Sequence, residues 1–309
     1  MKYLTRILLA ACLLTGLILP SCKSTGGKGP VVVGSKIDTE GALLSQMIIL
    51  MLRANGFDVV DKSQFGTTSI VRQALLSGEL DVYPEYTGNG AFFFPSAPSN
   101  VWSDAQQGYD MVKQLDLAQN NIVWLQPAPA NNTWAIAFTA KLASDAKLAS
   151  LTNFATYVNG GGYVKLIGSD EFVTSAVALP KFEQVYGFNL TSAQLVTVSS
   201  GDTAQTEKAA SLGTNGINAA MAYGTDGAIS AFNLVVLADP MGAQPVYEPA
   251  PIVRGAIMAK YPEIATILNP VFASFSLTTL QTLNGEIVVN GSAVSSVAHD
   301  YLVSKGFLK

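Results

Sequence analysis

The chain has 309 residues, 49% of them hydrophobic and only 13% charged, with a formal net charge of −4. That is apolar material enough for a large core and for two lobes. A basic footprint for nucleic acid is missing, so that class of partner is excluded.

Lys2 and Arg6 precede an apolar run, Ile7 to Leu19, that has the length of an export signal and is too short for an ordinary transmembrane helix. The run ends in "LPSC", Leu19 to Cys22, which resembles a bacterial lipobox, where the cysteine becomes the lipidated first residue of the mature protein. Residues 1–22 are therefore expected to be a lipoprotein signal peptide, Cys22 the lipidation site and 23–30 a flexible linker. Simple secretion with Cys22 unmodified is the alternative. Cys12 and Cys22 are the two cysteines of the chain, so the mature domain has no pair for an internal disulfide and must be held by packing.

Strand and helix then alternate. "VVVGS" (Val31 to Ser35) predicts a strand, and Thr39 can cap a helix whose apolar positions Leu43, Leu44, Met47, Ile48, Met51 and Leu52 keep the helical period until Gly56. "FDVV" (Phe57 to Val60) predicts the next strand. Thr67 or Thr68 can cap a second helix closed by Gly78, and "LDVY" (Leu80 to Tyr83) predicts a third strand followed by a loop. This βαβαβ pattern argues for a mostly parallel sheet, with ligands at the carboxyl ends of its strands. "YVKLIGS" (Tyr163 to Ser169), "QLVTVSS" (Gln194 to Ser200) and "INAAMAYGTDG" (Ile217 to Gly227) repeat the pattern, and "AIAFT" (Ala135 to Thr139) and "NLVVLADP" (Asn233 to Pro240) flank them as candidate crossing strands.

Several motifs carry a resemblance in order and spacing: "VVVGSKIDTEG", "LLSGELDVYPEYTGNG", "NNTWAIAF", "YGTDGAISAFNLVVLADP" and "PVYEPAPIVRG". Over nearly the whole mature chain the sequence resembles the substrate-binding proteins of osmoprotectant ABC importers, the glycine betaine and choline family. The resemblance implies an α/β, two-lobed periplasmic-binding-protein fold of type II with two crossing hinge strands. Lobe one would comprise 31–130 and 240–309, and lobe two 131–239. It further implies a non-enzymatic extracytoplasmic receptor that hands a quaternary ammonium ligand to an ABC permease, without a cofactor and anchored to the membrane by lipid.

Family members hold the trimethylammonium head in a box of rings, and at the matching positions stand Tyr86, Trp134, Tyr223 and Tyr247. The chemistry fits the ligand: a quaternary ammonium has no N–H to donate, whereas an aromatic face offers negative quadrupole and apolar surface together, about 0.5 to 2 kcal/mol per ring. Lys36 and Asn89 fall where betaine-binding members hold the carboxylate, and Thr67 and Thr68, at a helix start, are candidates for a ligand's polar end or simple caps. An arginine expected after "EF" in the second lobe is replaced by Ser175, which shifts the expectation from a carboxylate toward a choline-like tail.

Plainer readings compete. Tyr86 alone would suit loop packing, Tyr83 packing or support, Lys36 a surface pair with Asp38 or Glu40, and "AFFF" (Ala91 to Phe94) packing or a permease patch. Two other functions stay open: the same fold binding an amino acid or anion, and a surface lipoprotein without a transport role. His299 is the one histidine, and no catalytic set can be assembled around it.

Overall fold

The computed structural model describes residues 27–199 and 203–309; the expected signal peptide and Cys22 lie outside the described residues. Ten strands are described: β1 (Lys28–Lys36), β2 (Phe57–Gly66), β3 (Val82–Tyr86), β4 (Ile122–Trp124), β5 (Trp134–Thr139), β6 (Leu166–Ser169), β7 (Leu195–Val198), β8 (Ala219–Tyr223), β9 (Leu234–Val236) and β10 (Pro249–Arg254). They form two five-stranded sheets, β2-β1-β3-β10-β4 and β7-β6-β8-β5-β9, one in each lobe. Among the described residues, no helix is long and apolar enough to cross a membrane.

Each sheet is mixed rather than mostly parallel. The pairs β1·β2, β1·β3, β6·β7 and β6·β8 are parallel, as the βαβ pattern requires. β10 and β5 enter after the chain has changed lobes and run antiparallel to both neighbours. The expected crossing strands correct in the same way: Ala135–Thr139 lies in β5 and Leu234–Val236 in β9, and these two pair with each other inside the second sheet. The passage between lobes is made by residues 125–133 and 237–248. They touch where the Asn132 N–H donates to the Tyr247 carbonyl at 2.9 Å and the Tyr247 N–H to Asn131 Oδ1 at 2.8 Å.

Local chemistry sets several boundaries one or two residues from expectation. The first helix, Thr39–Ala54, is capped by Asp38 rather than Thr39, its carboxylate accepting from the Gly41 N–H at 2.7 Å. Helix Thr68–Ser77 follows Thr67, whose side chain makes no capping bond, and Gly78 ends it in the left-handed conformation. β1 begins at Lys28, so the last residues of the expected linker belong to the sheet. β3 runs on through Pro84 to Tyr86, so "YPEY" is strand and not loop.

The first sheet is covered on one face by Thr39–Ala54 and the carboxyl-terminal helices, and on the other by Thr68–Ser77 and Ala105–Asn120. Arg72 and Asp116 join the latter layer through a two-pronged ion pair, with N–O distances of 2.8 and 2.5 Å. The second lobe has its own core around Phe138, Phe154, Phe172 and Phe182. In "AFFF" Phe94 is buried and Phe92 exposed, with the Arg72 guanidinium over the Phe93 ring.

Candidate functional site

β1 and β3 share one pairing, Val33 with Val82. Beyond it the strands are joined by a buried ion pair, Lys36 Nζ to Glu85 Oε1 at 2.5 Å. Glu85, fully buried, also accepts from Asn89 Nδ2 and the Tyr86 N–H at 2.7 Å each and from the Tyr83 hydroxyl at 2.8 Å. Lys36 is therefore paired neither with Asp38 nor with Glu40, and it is not a surface lysine. Its ammonium lies 4.7 Å from the centre of the Tyr86 ring, inside cation–π range.

Tyr86 ends β3, and the chain turns at Gly88 beneath Tyr247. Trp134 and Tyr223 are cross-strand partners on β5 and β8, and their rings stack with centroids 6.2 Å apart and planes at 23°. Phe172 meets Trp134 in a T-shaped contact with centroids 6.3 Å apart. Tyr223 is followed by a tight turn in which Asp226 accepts its N–H at 2.6 Å. Helix Leu277–Val288 reaches across to this turn: Gln281 donates to the Gly224 carbonyl at 2.8 Å and Asn284 to that of Thr225 at 2.9 Å. Gly227 and Gly285 meet with no room for a Cβ on Gly227, whose ideal position is 2.2 Å from the Gly285 nitrogen.

These elements enclose a cavity of about 760 Å³ between the two sheets. Tyr86, Trp134, Tyr223 and Tyr247 all line it, as do Lys36, Asn89 and Thr68. Thr67 lies outside the lining, exposed at the start of its helix. Tyr83 is also outside, fully buried and holding Glu85. Ser175 caps the end of helix Asp170–Thr174 away from the cavity, and Glu171 from that helix lines it instead. The described arginines are Arg53, Arg72 and Arg254, and none of them lines the cavity.

The wall is acidic. Asp38, Glu40, Glu171, Glu207 and Asp226 face the cavity with Lys36 as the cation among the lining residues. Glu40, in the lining, and Glu85, behind Lys36 and Asn89, are the candidate positions that reading the sequence missed. Glu40 had a signal: with Leu43, Leu44 and Met47 it forms an i, i+3, i+4, i+7 set, so a carboxylate stands on the buried stripe of its helix. Burial pushes its pKa up to about 7, although hydrogen bonds from Thr225, Tyr86 and Asn284 pull it down. Burial likewise raises the Tyr223 phenol to about 12 and the Tyr247 phenol above its usual value, so both rings are neutral phenols near neutrality.

Comparison with known proteins agrees with this architecture. Residues 29–304 match the family described as the substrate binding domain of ABC-type glycine betaine transport systems. The glycine betaine-binding protein YehZ of Escherichia coli K12 is 54% identical over 280 residues, 91% of this chain and 92% of that protein. A glycine-betaine-binding protein of Pseudomonas aeruginosa is 31% identical, spanning 87% of this chain and 86% of its own length. The apo structure of E. coli YehZ superposes with a TM-score of 0.84 at 53% identity, covering 91% of this chain and all of that one. The chain thus belongs to the family of substrate-binding domains of ABC-type glycine betaine transport systems.

Proposed function

We propose that the protein captures a quaternary ammonium osmolyte outside the cytoplasmic membrane and presents it to an ABC permease. The observation that carries this reading is the lining of one interlobe cavity by Tyr86, Trp134, Tyr223 and Tyr247, which come from four separate segments. Four faces supply roughly 2 to 8 kcal/mol toward a methylated cation, which after the costs of closure suits a receptor that must also release. Nothing in that task requires bond making, so the protein acts as a receptor and not as an enzyme.

The tail of the ligand meets Lys36, Asn89 and Thr68. Lys36 and Asn89 already serve Glu85 but each keeps an N–H donor in reserve, which suits a hydroxyl oxygen. The positive charge of Lys36 is spent on Glu85, so an anionic tail gains little from it. With no arginine among the described lining residues, a choline-like ligand fits better than a betaine. The names of the relatives favour glycine betaine itself as the second reading. The absence of arginine from the described lining disfavours an anion.

Tethering through Cys22 places the receptor beside its permease, and residues 31–130 with 240–309 form the lobe that 131–239 closes upon. Calorimetric titration of the mature domain with choline, glycine betaine, carnitine and glycine tests the ligand. Heat with methylated cations and none with glycine is expected, choline being the tightest. Binding of glycine alone or of an anion would overturn the reading, and silence with every solute would favour a surface role without transport.

A further inference from the structure

Glu40 lies in the first turn of helix Thr39–Ala54, is 5% exposed and lines the cavity. Its carboxylate joins three parts of the molecule. The Tyr86 hydroxyl donates to Oε1 at 2.8 Å, and Asn132, on the connection between lobes, donates to the same oxygen at 3.2 Å. Asn284 donates through Nδ2 to Oε2 at 2.7 Å, and through the same nitrogen to the carbonyl of Thr225, two residues beyond Tyr223. One acidic group thus steadies a ring of the first lobe and the turn that carries a ring of the second.

Two consequences follow from elementary chemistry. A phenol that donates to a carboxylate gains electron density in its ring, and a richer face attracts a cation more strongly. A charge held in a poorly solvated wall also acts across the cavity far more strongly than it would through water. Beside it, Asn284 Oδ1 is buried without a partner in a residue that lines the cavity. A buried acceptor left unpaired is costly until a donor reaches it.

We infer that the Glu40 carboxylate is the counter-charge of the bound quaternary ammonium, and that Asn284 Oδ1 accepts the hydroxyl of the ligand's tail. The assignment rests on the quaternary ammonium reading of the cavity and adds two residues to it. Asp38 on the same turn, Lys36 across the Tyr86 ring, Asp226 on the turn beside Thr225, and Glu171 and Glu207 elsewhere in the lining are the charged groups that share the cavity with the pair. Since burial pushes Glu40 up to about 7, the carboxylate is part protonated near neutrality. An arriving cation favours the ionised form, so binding releases a proton and tightens as pH rises through that value.

The test uses choline and its uncharged carbon isostere, 3,3-dimethyl-1-butanol, with the wild-type mature chain and Glu40→Gln. Choline should bind wild type at least about threefold more tightly at pH 8.5 than at pH 5.5, the effect of moving Glu40 by half a pH unit. The isostere should show no such trend. Glu40→Gln should weaken choline by about threefold at pH 8.5, the same half unit, flatten its pH profile and leave the isostere nearly unchanged. Equal losses for both probes would make Glu40 a structural residue and overturn the inference. So would choline binding by wild type that ignores pH while the stability of the empty domain does depend on it, a result that decides the matter even if the variant does not fold. Failure of wild type to bind any methylated cation would instead overturn the reading of the cavity itself, and the inference with it.

Discussion

Gly88 lies directly beneath Tyr247: a Cβ on Gly88 would stand 2.8 Å from that ring. The backbone of Gly88 is not in the left-handed region, so glycine is required there for space rather than for conformation. Gly88→Ala should displace the Tyr247 ring and weaken methylated-cation binding by about 1 to 2 kcal/mol, the worth of one cage ring. Calorimetric affinities of the two proteins decide it, and an unchanged affinity would remove Tyr247 from the cage.

Lys36 and Glu85 form the other fixed point of the site, both buried and 2.5 Å apart. Removing one partner of a buried pair strands the other charge, which costs about 3 to 5 kcal/mol. Lys36→Met should therefore lower stability to urea by about 3 kcal/mol, and adding Glu85→Gln should recover most of the loss. Double-variant denaturation curves measure the coupling.

These two cases also mark how far the sequence was legible. The four rings were named through the resemblance to a family, since Tyr86 read alone suited loop packing, and the structure brings all four to one cavity. The alternating elements were equally plain. Glu40 was harder, because Tyr86, Asn132 and Asn284 stand 46, 92 and 244 residues from it. Local reading offered Asp38 and Glu40 as partners for Lys36, but Asp38 is spent as a helix cap and Glu40 belongs to Tyr86 and Asn284. The crossing strands were misplaced for a related reason: β5 and β9 are apolar runs as a connection between lobes would be, and only pairing distinguishes the two.

Tyr223 offers a cleaner dissection than Tyr86, whose hydroxyl is tied to Glu40 and whose ring faces the Lys36 ammonium, because Trp134 is the neighbour of both the ring and the hydroxyl of Tyr223. Tyr223→Ala removes one of the proposed cage faces and its stack on Trp134, and should weaken choline or betaine by at least about 1 kcal/mol. Tyr223→Phe keeps the quadrupole and the stack, and should stay within about 0.5 kcal/mol of wild type. If the phenylalanine variant binds as poorly as the alanine one, the hydroxyl and not the ring face carries the contact.

Glu40 makes the stability of the empty receptor depend on pH in the direction opposite to its ligand affinity. Its pKa is raised by burial from 4.5 in the unfolded chain to about 7 in the fold, so the folded state holds a proton that the unfolded state has lost. The stability gained from this group is complete below 4.5 and declines as pH rises through 7. Between pH 5.5 and pH 8 the loss should be about 2 kcal/mol, from roughly one and a half units at 1.36 kcal/mol each. Urea denaturation of the ligand-free domain at the two pH values measures it, with Glu40→Gln as the reference that should lack the slope. A wild-type curve as flat as that of the variant would mean that Glu40 is charged in the empty cavity throughout this range, held there by Tyr86, Asn132 and Asn284 against the cost of its burial.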